Sequence, residues 1–355
     1  MAATDKNVGV IFFPDFFSNA GGSARIFLKQ LSSTDYQSRL PTQWSTVLSD
    51  NAASWTPTAS SYQNIITDWA NAGIGHFAYL YRAVGNSGRV AWDGFQAASN
   101  KADVPWCWII TASSMGTTGN YAAILAELVP HFQQAHYLKV DTNRPVLYIL
   151  WRDSDITSNW GGSAANFKAC IDDLRAAAIA ASLGDPYIVV IETSLAGSSG
   201  ATTVSNDAAS IAADAIGAYG HQRPTNLSAA YTDYTAIGST LWTALATKSE
   251  DMVPPVVIGR DDLPRRWAPS TLDDADDYEI GLGHLDKVTA PTDAEMVTHI
   301  TAASDFIDAN PTKCPEKLML IYAATELTES GPGLVRTVGN PTGTWIAALD
   351  AILNP

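Results

Sequence analysis

The chain has 355 residues, with 36 acidic side chains against 21 basic ones and a formal net charge of -15. An acidic surface repels phosphate backbones and anionic lipid, which argues against nucleic-acid and membrane partners. A hydrophobic share of 46% is ordinary for a globular protein and argues against disorder, and no apolar run approaches the roughly 20 residues of a membrane span. The three cysteines, Cys107, Cys170 and Cys314, are far apart and form no CxxC or Cys/His cluster. Zinc and a disulfide framework are therefore not expected, and nothing in the sequence calls for a cofactor. No basic segment precedes an apolar core at the N-terminus, so the sequence shows no standard export signal and leaves localisation open.

The first apolar run, Val8 to Phe13, predicts a strand stopped by Pro14, with Asp15 just beyond. A Ser-, Thr- and Pro-rich stretch over about 18–58 predicts an elaborated loop. Ser60 to Ala72 is amphipathic, with Tyr62, Ile65, Ile66 and Trp69 on one face, and Gly73 ends it. His76 to Tyr81 predicts the second strand, with Arg82 after it. A short helix near 90–101 leads to the third strand, Val104 to Ile110, and Tyr121 to Ala135 is helical. Pro145 to Trp151 predicts the fourth strand, followed by Arg152 and Asp153. Ala164 to Leu183 is a long helix. Pro186 to Ile191 is the fifth strand, with Glu192 at its end.

The middle of the chain carries weaker signals. Asp207 to Ala213 reads as helix, Ala215 to Tyr219 as a short sixth strand with His221 after it, and Ser228 to Lys248 as helix. Pro254 to Ile258 predicts the seventh strand, followed by Gly259, Arg260, Asp261 and Asp262. The acidic run Asp273 to Glu279 lacks the glycine and ligand spacing of a calcium loop and reads as a solvated face. Asp293 to Ala309 is a helix whose buried face is Met296, Ile300, Ala303 and Ile307. Leu318 to Ala324 is the eighth strand, and Thr344 to Leu353 closes the chain as a helix.

Strand and helix alternate about eight times, which implies parallel strands joined by helical crossovers. Eight such units predict an α/β protein of the (β/α)8 TIM-barrel class: a single domain over 1–355 with elaborated loops at the C-terminal ends of its strands. No GxGxxG follows the first strand and no P-loop is present, so nucleotide-binding folds are disfavoured. There is no GxSxG either, which removes support for acyl transfer.

Active sites of this fold lie at the C-terminal ends of the strands, and polar residues collect there. They include Asp15, Arg82, Arg152, Glu192, His221, Asp261, Asp262, Glu326 and Glu329. Loops are polar in any case, and a lone histidine after a strand is more often structural than catalytic. Glu192, Glu326 and Glu329 stand out because each follows an apolar strand almost directly. Two carboxyl groups suffice to cleave a glycosidic bond: one protonates the leaving oxygen and the other acts as base or nucleophile. Eleven Trp and thirteen Tyr are many. Most belong to the core, but Tyr81 and Trp108, near strand ends, are candidates to stack on sugar rings.

The ordered segments resemble the glycoside hydrolase family 99-like group, which includes endo-α-mannosidases and WbsX-like proteins of polysaccharide gene clusters. Phe12-Phe13-Pro14-Asp15-Phe16 is similar to the group's opening Tyr-Tyr-x-Pro-x-Trp. Gly73 to Tyr81 is similar to Gly-Ile-Asp-Gly-Phe-x-x-Tyr. Pro105-Trp106-Cys107-Trp108 resembles the strand ending in Cys-Trp-Ala-Asn, and Tyr137 to Val146 resembles Tyr-x-x-Val-x-Gly-Lys-Pro. Gly259 to Arg265 is similar to Gly-Trp-Asp-x-x-Pro-Arg, and Thr325 to Ser330 falls on Asn-Glu-Trp-x-Glu-Gly. The resemblance implies a retaining, endo-acting glycoside hydrolase on a polysaccharide. It makes Glu329 the acid/base and Glu326 the base toward the substrate's own 2-hydroxyl, or a nucleophile. Thr325 and Leu327 stand where the motif has Asn and Trp, and Ile109-Ile110 where it has Ala-Asn, so mannose specificity does not carry over. The alternatives are a glycosyltransferase or transglycosylase of polysaccharide biosynthesis, and a non-catalytic glycan-binding barrel.

Overall fold

The computed structural model describes residues 5–14, 31, 35–42, 45–49, 52–56, 58–84, 89–193, 195–221, 228–259, 261, 264, 287–288, 290–327 and 333–354. Eight parallel strands form the centre: β1 (Asn7–Phe12), β2 (His76–Leu80), β3 (Trp106–Thr111), β4 (Arg144–Leu150), β5 (Tyr187–Glu192), β6 (Ala215–Ala218), β7 in two segments (Asp251–Met252 and Pro255–Val257) and β8 (Leu318–Tyr322). Neighbours from β1 to β6 pair in sequence order, and β8 pairs with β1.

The seventh strand closes the barrel. Its first segment pairs with β6 and its second with β8. Pro254 and Pro255 have no N–H to give to a ladder, so one run of chain hands over from one neighbour to the other at that point. The sequence pattern predicts only the half after Pro254. The half before it is recognisable from its pairing with β6. At the crossing the backbones crowd: a Cβ on Gly217 of β6 would sit 2.9 Å from the Val253 carbonyl oxygen.

Among the described residues, eight helices follow the strands: α1 (Ala59–Asn71), α2 (Arg89–Ala97), α3 (Ala122–Phe132), α4 (Ala164–Ala180), α5 (Gly197–Ser210), α6 (Tyr231–Leu245), α7 (Asp293–Ala309) and α8 (Thr344–Leu353). A short helix, Asp153–Asn159, precedes α4, and the β1–α1 connection carries an antiparallel hairpin of Ser45–Ser49 with Ala52–Thr56. Capping boxes fix two starts, Thr58 with Ser61 at α1 and Thr292 with Glu295 at α7. Tyr62, Ile65, Ile66 and Trp69 are the buried face of α1, as their spacing predicts. Helix α5 begins ten residues before the expected Asp207. Its opening Gly-Ser-Ser-Gly-Ala-Thr-Thr has poor helix propensity. Burial of Ala201, Val204 and Ala208 against the barrel overrides that preference.

The strands alternate between lumen and helix layer. Gly9 and His76 are register partners facing the lumen, and the imidazole fills the space where a Gly9 side chain would be. The opposite face of β2 and β3 presents Phe77, Tyr79, Trp106 and Trp108 to α2 and α3, where they pack with Trp92, Phe95 and His131. The eight tryptophans whose side chains are described are all buried, so these rings serve as core.

Candidate functional site at the C-terminal rim

Glu326 stands four residues beyond Tyr322, the last residue of β8, and is only 5% exposed. Its two carboxylate oxygens face two tyrosines. Tyr219, just past β6, donates to Oε1 at 2.5 Å, and Tyr322 donates to Oε2. The two rings meet edge-to-face with centroids 5.4 Å apart. Tyr219 therefore reaches across β7 to the end of β8. The sequence gives no local hint of this, because the partners are 107 residues apart.

Thr325 ties the end of β8 to the end of β1. Its Oγ1 accepts from Phe13 N at 2.7 Å and donates to Phe13 O at 3.1 Å, and Ala324 N donates to Ile11 O. A threonine can do both with one hydroxyl. Beyond, Leu334 N donates to Ala324 O, Trp69 Nε1 to Leu334 O, and Arg336 makes a two-pronged ion pair with Asp68 of α1. Glu329 lies outside the described residues, between these two anchored positions.

The rest of the rim brings in Arg39, which sequence reasoning did not single out. It pairs with the Asp261 carboxylate after β7, and its Nη1 donates to the backbone carbonyls of Asp261 and Leu327. Arg82, after β2, lies over the Phe13 ring at 5.2 Å. Tyr219 and Tyr322, at the ends of β6 and β8, thus reach the Glu326 carboxylate, while Arg39 joins Asp261 to the backbone of Leu327 and Arg82 adjoins Phe13. Asp15 and Asp262 lie outside the described residues. A cavity of about 230 Å³ opens beside this rim, between Ile258, Thr292 and Leu334.

The other expected site residues are placed elsewhere. Tyr81 donates to Glu127 of α3 at 2.8 Å, and Arg89 of α2 holds the second oxygen of that carboxylate. Trp108 is fully buried, with its Nε1 donating to His131. His221 is buried edge-to-face against Tyr234 of α6. Arg152 is an exposed residue at the N-cap of the helix Asp153–Asn159.

Glu192 faces the helix layer. Its register partner is Ala218 of β6, and Tyr219, the next residue along, is the one that turns into the lumen. Glu192 meets Asp207 of α5. Burial is the largest cause pushing its carboxyl up to about 8, followed by its hydrogen bond with Asp207 and the charges of Asp207 and Asp153. Asp207 is also raised, by burial first. Glu192 Oε1 and Asp207 Oδ2 are buried and receive no donor from elsewhere among the described residues, as two carboxyls sharing one proton would be. Among the described residues, no group of three or more His, Cys, Asp or Glu is placed to hold a metal ion.

Fold and rim together define a (β/α)8 barrel with a buried glutamate at the end of its eighth strand. Two solved structures of the GH99 endo-α-mannosidase from Bacteroides thetaiotaomicron share this fold. One, with bis-tris-propane bound, has a TM-score of 0.54 at 12% identity, covering 94% of this chain and 88% of that one. The other has a TM-score of 0.53 at 12% identity, covering 98% and 96%. The GH99-like resemblance in the ordered sequence motifs is thus matched by the architecture of nearly the whole chain. No family profile and no curated protein matches the sequence.

Proposed function

We propose that the protein is a retaining glycoside hydrolase, endo-acting on a polysaccharide, with Glu326 as base or nucleophile and Glu329 as acid/base. The observation that carries this reading is the Glu326 carboxylate, buried at the C-terminal end of β8 in a barrel with the fold of GH99 endo-α-mannosidases. A carboxylate is costly to bury, and here it sits where this fold places its chemistry. Glu329 follows three residues later in the segment similar to Asn-Glu-Trp-x-Glu-Gly, and supplies the second carboxyl that glycosidic cleavage requires. The neutral hydroxyls and aromatic rings around Glu326 suit a sugar and need no basic pocket.

Purified protein incubated with bacterial, fungal and plant glycans, with products read by mass spectrometry, tests the proposal. Wild type releases internal-cleavage oligosaccharides, while Glu326→Gln and Glu329→Gln each lose activity by about 100-fold or more. Near-normal turnover by either variant removes that residue from the mechanism. Glycan binding without product from wild type would turn the reading to a binding barrel.

A further inference from the structure

We propose that Arg39 is a positioning residue of the rim: it clamps the turn that carries Glu326 by joining the chain after β1 to the chain after β7 and after β8. The proposal rests on the reading of Glu326 as a reacting group, and it adds a residue that lies outside every motif of the sequence.

The backbone of Arg39 is fixed from the outside. Gln37–Arg39 is a short 3₁₀ turn in the β1–α1 connection. It docks on the chain that follows β8. Thr42 N donates to Arg336 O at 2.9 Å, Val338 N to Leu40 O at 2.8 Å and Gly339 N to Ser38 O at 2.7 Å, and Pro41 forms an antiparallel bridge with Thr337. The approach is close enough to need a glycine: a Cβ on Gly339 would lie 2.9 Å from Ser38 Cβ and 3.0 Å from Ser38 O. Leu40 and Pro41 are buried. The root of the Arg39 side chain is therefore set before the side chain makes any contact of its own.

The side chain then reaches to two other loops. Nη2 pairs with the Asp261 carboxylate after β7, and Nη1 stands 3.4 Å from the carbonyl oxygens of both Asp261 and Leu327. The two side chains of the ion pair are 17% and 16% exposed, so solvent screens them less than a surface pair. A guanidinium presents five N–H donors in a planar fork and can serve a carboxylate and two carbonyls together, which the point charge of a lysine does not. Leu327 is also held elsewhere: its N–H donates to Thr325 O at 2.9 Å, and its side chain is fully buried. Thr325 is bonded in turn to Phe13 N and O. Glu326 thus hangs between two anchored residues, and Arg39 supplies the anchor on the Leu327 carbonyl. A misplacement of about 1 Å at a reacting group can cost about 100-fold in rate, which makes such an anchor matter to chemistry it does not touch.

The test uses Arg39→Lys, which keeps the charge without the fork, and Arg39→Met, which keeps only the apolar stem. The first readout needs no activity. Amide hydrogen exchange of the full chain is followed by NMR at Leu327, with Ile300 in α7 as reference. In both variants exchange at Leu327 quickens by about tenfold or more while Ile300 stays within about twofold. Unchanged exchange at Leu327 overturns the proposal, and so does an equal rise at Ile300, which would mean general loosening. The second readout is the kinetics of the proposed cleavage. Here kcat falls by about tenfold in Arg39→Lys and about 100-fold in Arg39→Met, with KM changed by less than about threefold. A wild-type kcat in Arg39→Lys would mean that charge alone suffices, and a change confined to KM would mean that Arg39 touches substrate; either result overturns the proposal. If wild type cleaves no glycan, the functional reading falls and exchange at Leu327 still decides whether Arg39 holds the turn. Should Arg39→Met not fold, Arg39→Lys carries both readouts.

Discussion

The Glu192–Asp207 pair makes a stability measurement decisive. In an unfolded chain Glu192 titrates near 4.5; in the folded protein its carboxyl is pushed up to about 8, by burial first and then by Asp207 and Asp153. Between those values the folded state holds a proton that the unfolded state has lost, so the contribution of Glu192 to stability is fully present below about pH 4.5 and is lost as pH rises toward 8. At about 1.4 kcal/mol for each tenfold change in acidity, the full displacement is worth at most about 5 kcal/mol. The carboxyl keeps some contact with solvent and shares its titration with Asp207, which reduces the expected loss to about 1–2 kcal/mol. Glu192→Gln removes the titrating group and keeps its shape, and its amide can donate to Asp207. Urea unfolding at several pH values from 5 to 9 is the assay. Wild type loses about 1–2 kcal/mol over that interval more than Glu192→Gln does, and the variant is the more stable protein at pH 9. Parallel pH profiles for the two proteins would refute the shared-proton account. Activity has to stay close to wild type below pH 8, because Glu192 faces α5 rather than the lumen; a large loss there would contradict that placement.

Two further substitutions probe the scaffold. Gly9→Ala places a Cβ 2.1 Å from His76 Nε2, and the ring is held by Asn7 at 2.6 Å and stacked on Tyr148. Denaturant unfolding then shows a loss of about 2–3 kcal/mol, and an unchanged midpoint would mean the imidazole is free to move aside. Arg336→Met strips the two-pronged partner from the buried Asp68 and costs about 2–3 kcal/mol by the same assay. Because that pair ties Arg336 to α1 a short way along the chain from the proposed site, kcat/KM for the proposed cleavage falls with it; full activity in the variant would show that the proposed site does not depend on the tether.

Much of the barrel is legible from local pattern, because its strands are buried on both faces. Val8 to Phe13, stopped at Pro14, Pro145 to Trp151, followed by Arg152, and Leu318 to Ala324, between Pro315 and Gly331, read as apolar runs. Helix α7 is legible to the residue because a capping box starts it and its core positions recur at helical spacing. The misses have physical causes. The first half of β7 is hidden because two prolines split its ladder between two neighbours, and the opening of α5 is hidden because its composition is that of a loop.

By itself the sequence determined the class of the protein. Eight alternating strand and helix patterns, and glutamates following the last strand, follow from periodicity and composition, which act over a few residues. What the tertiary structure alone decided is which side chains meet. Strand parity sends Glu192 into the helix layer and Tyr219 into the lumen, although the two lie on neighbouring strands. Closure of the barrel brings Tyr219 to Glu326 across 107 residues and Arg39 to Asp261 across 222. Local propensity carries no information about such contacts. They are set by register and by the curvature of a closed sheet, and through them a buried glutamate receives its two hydroxyl partners.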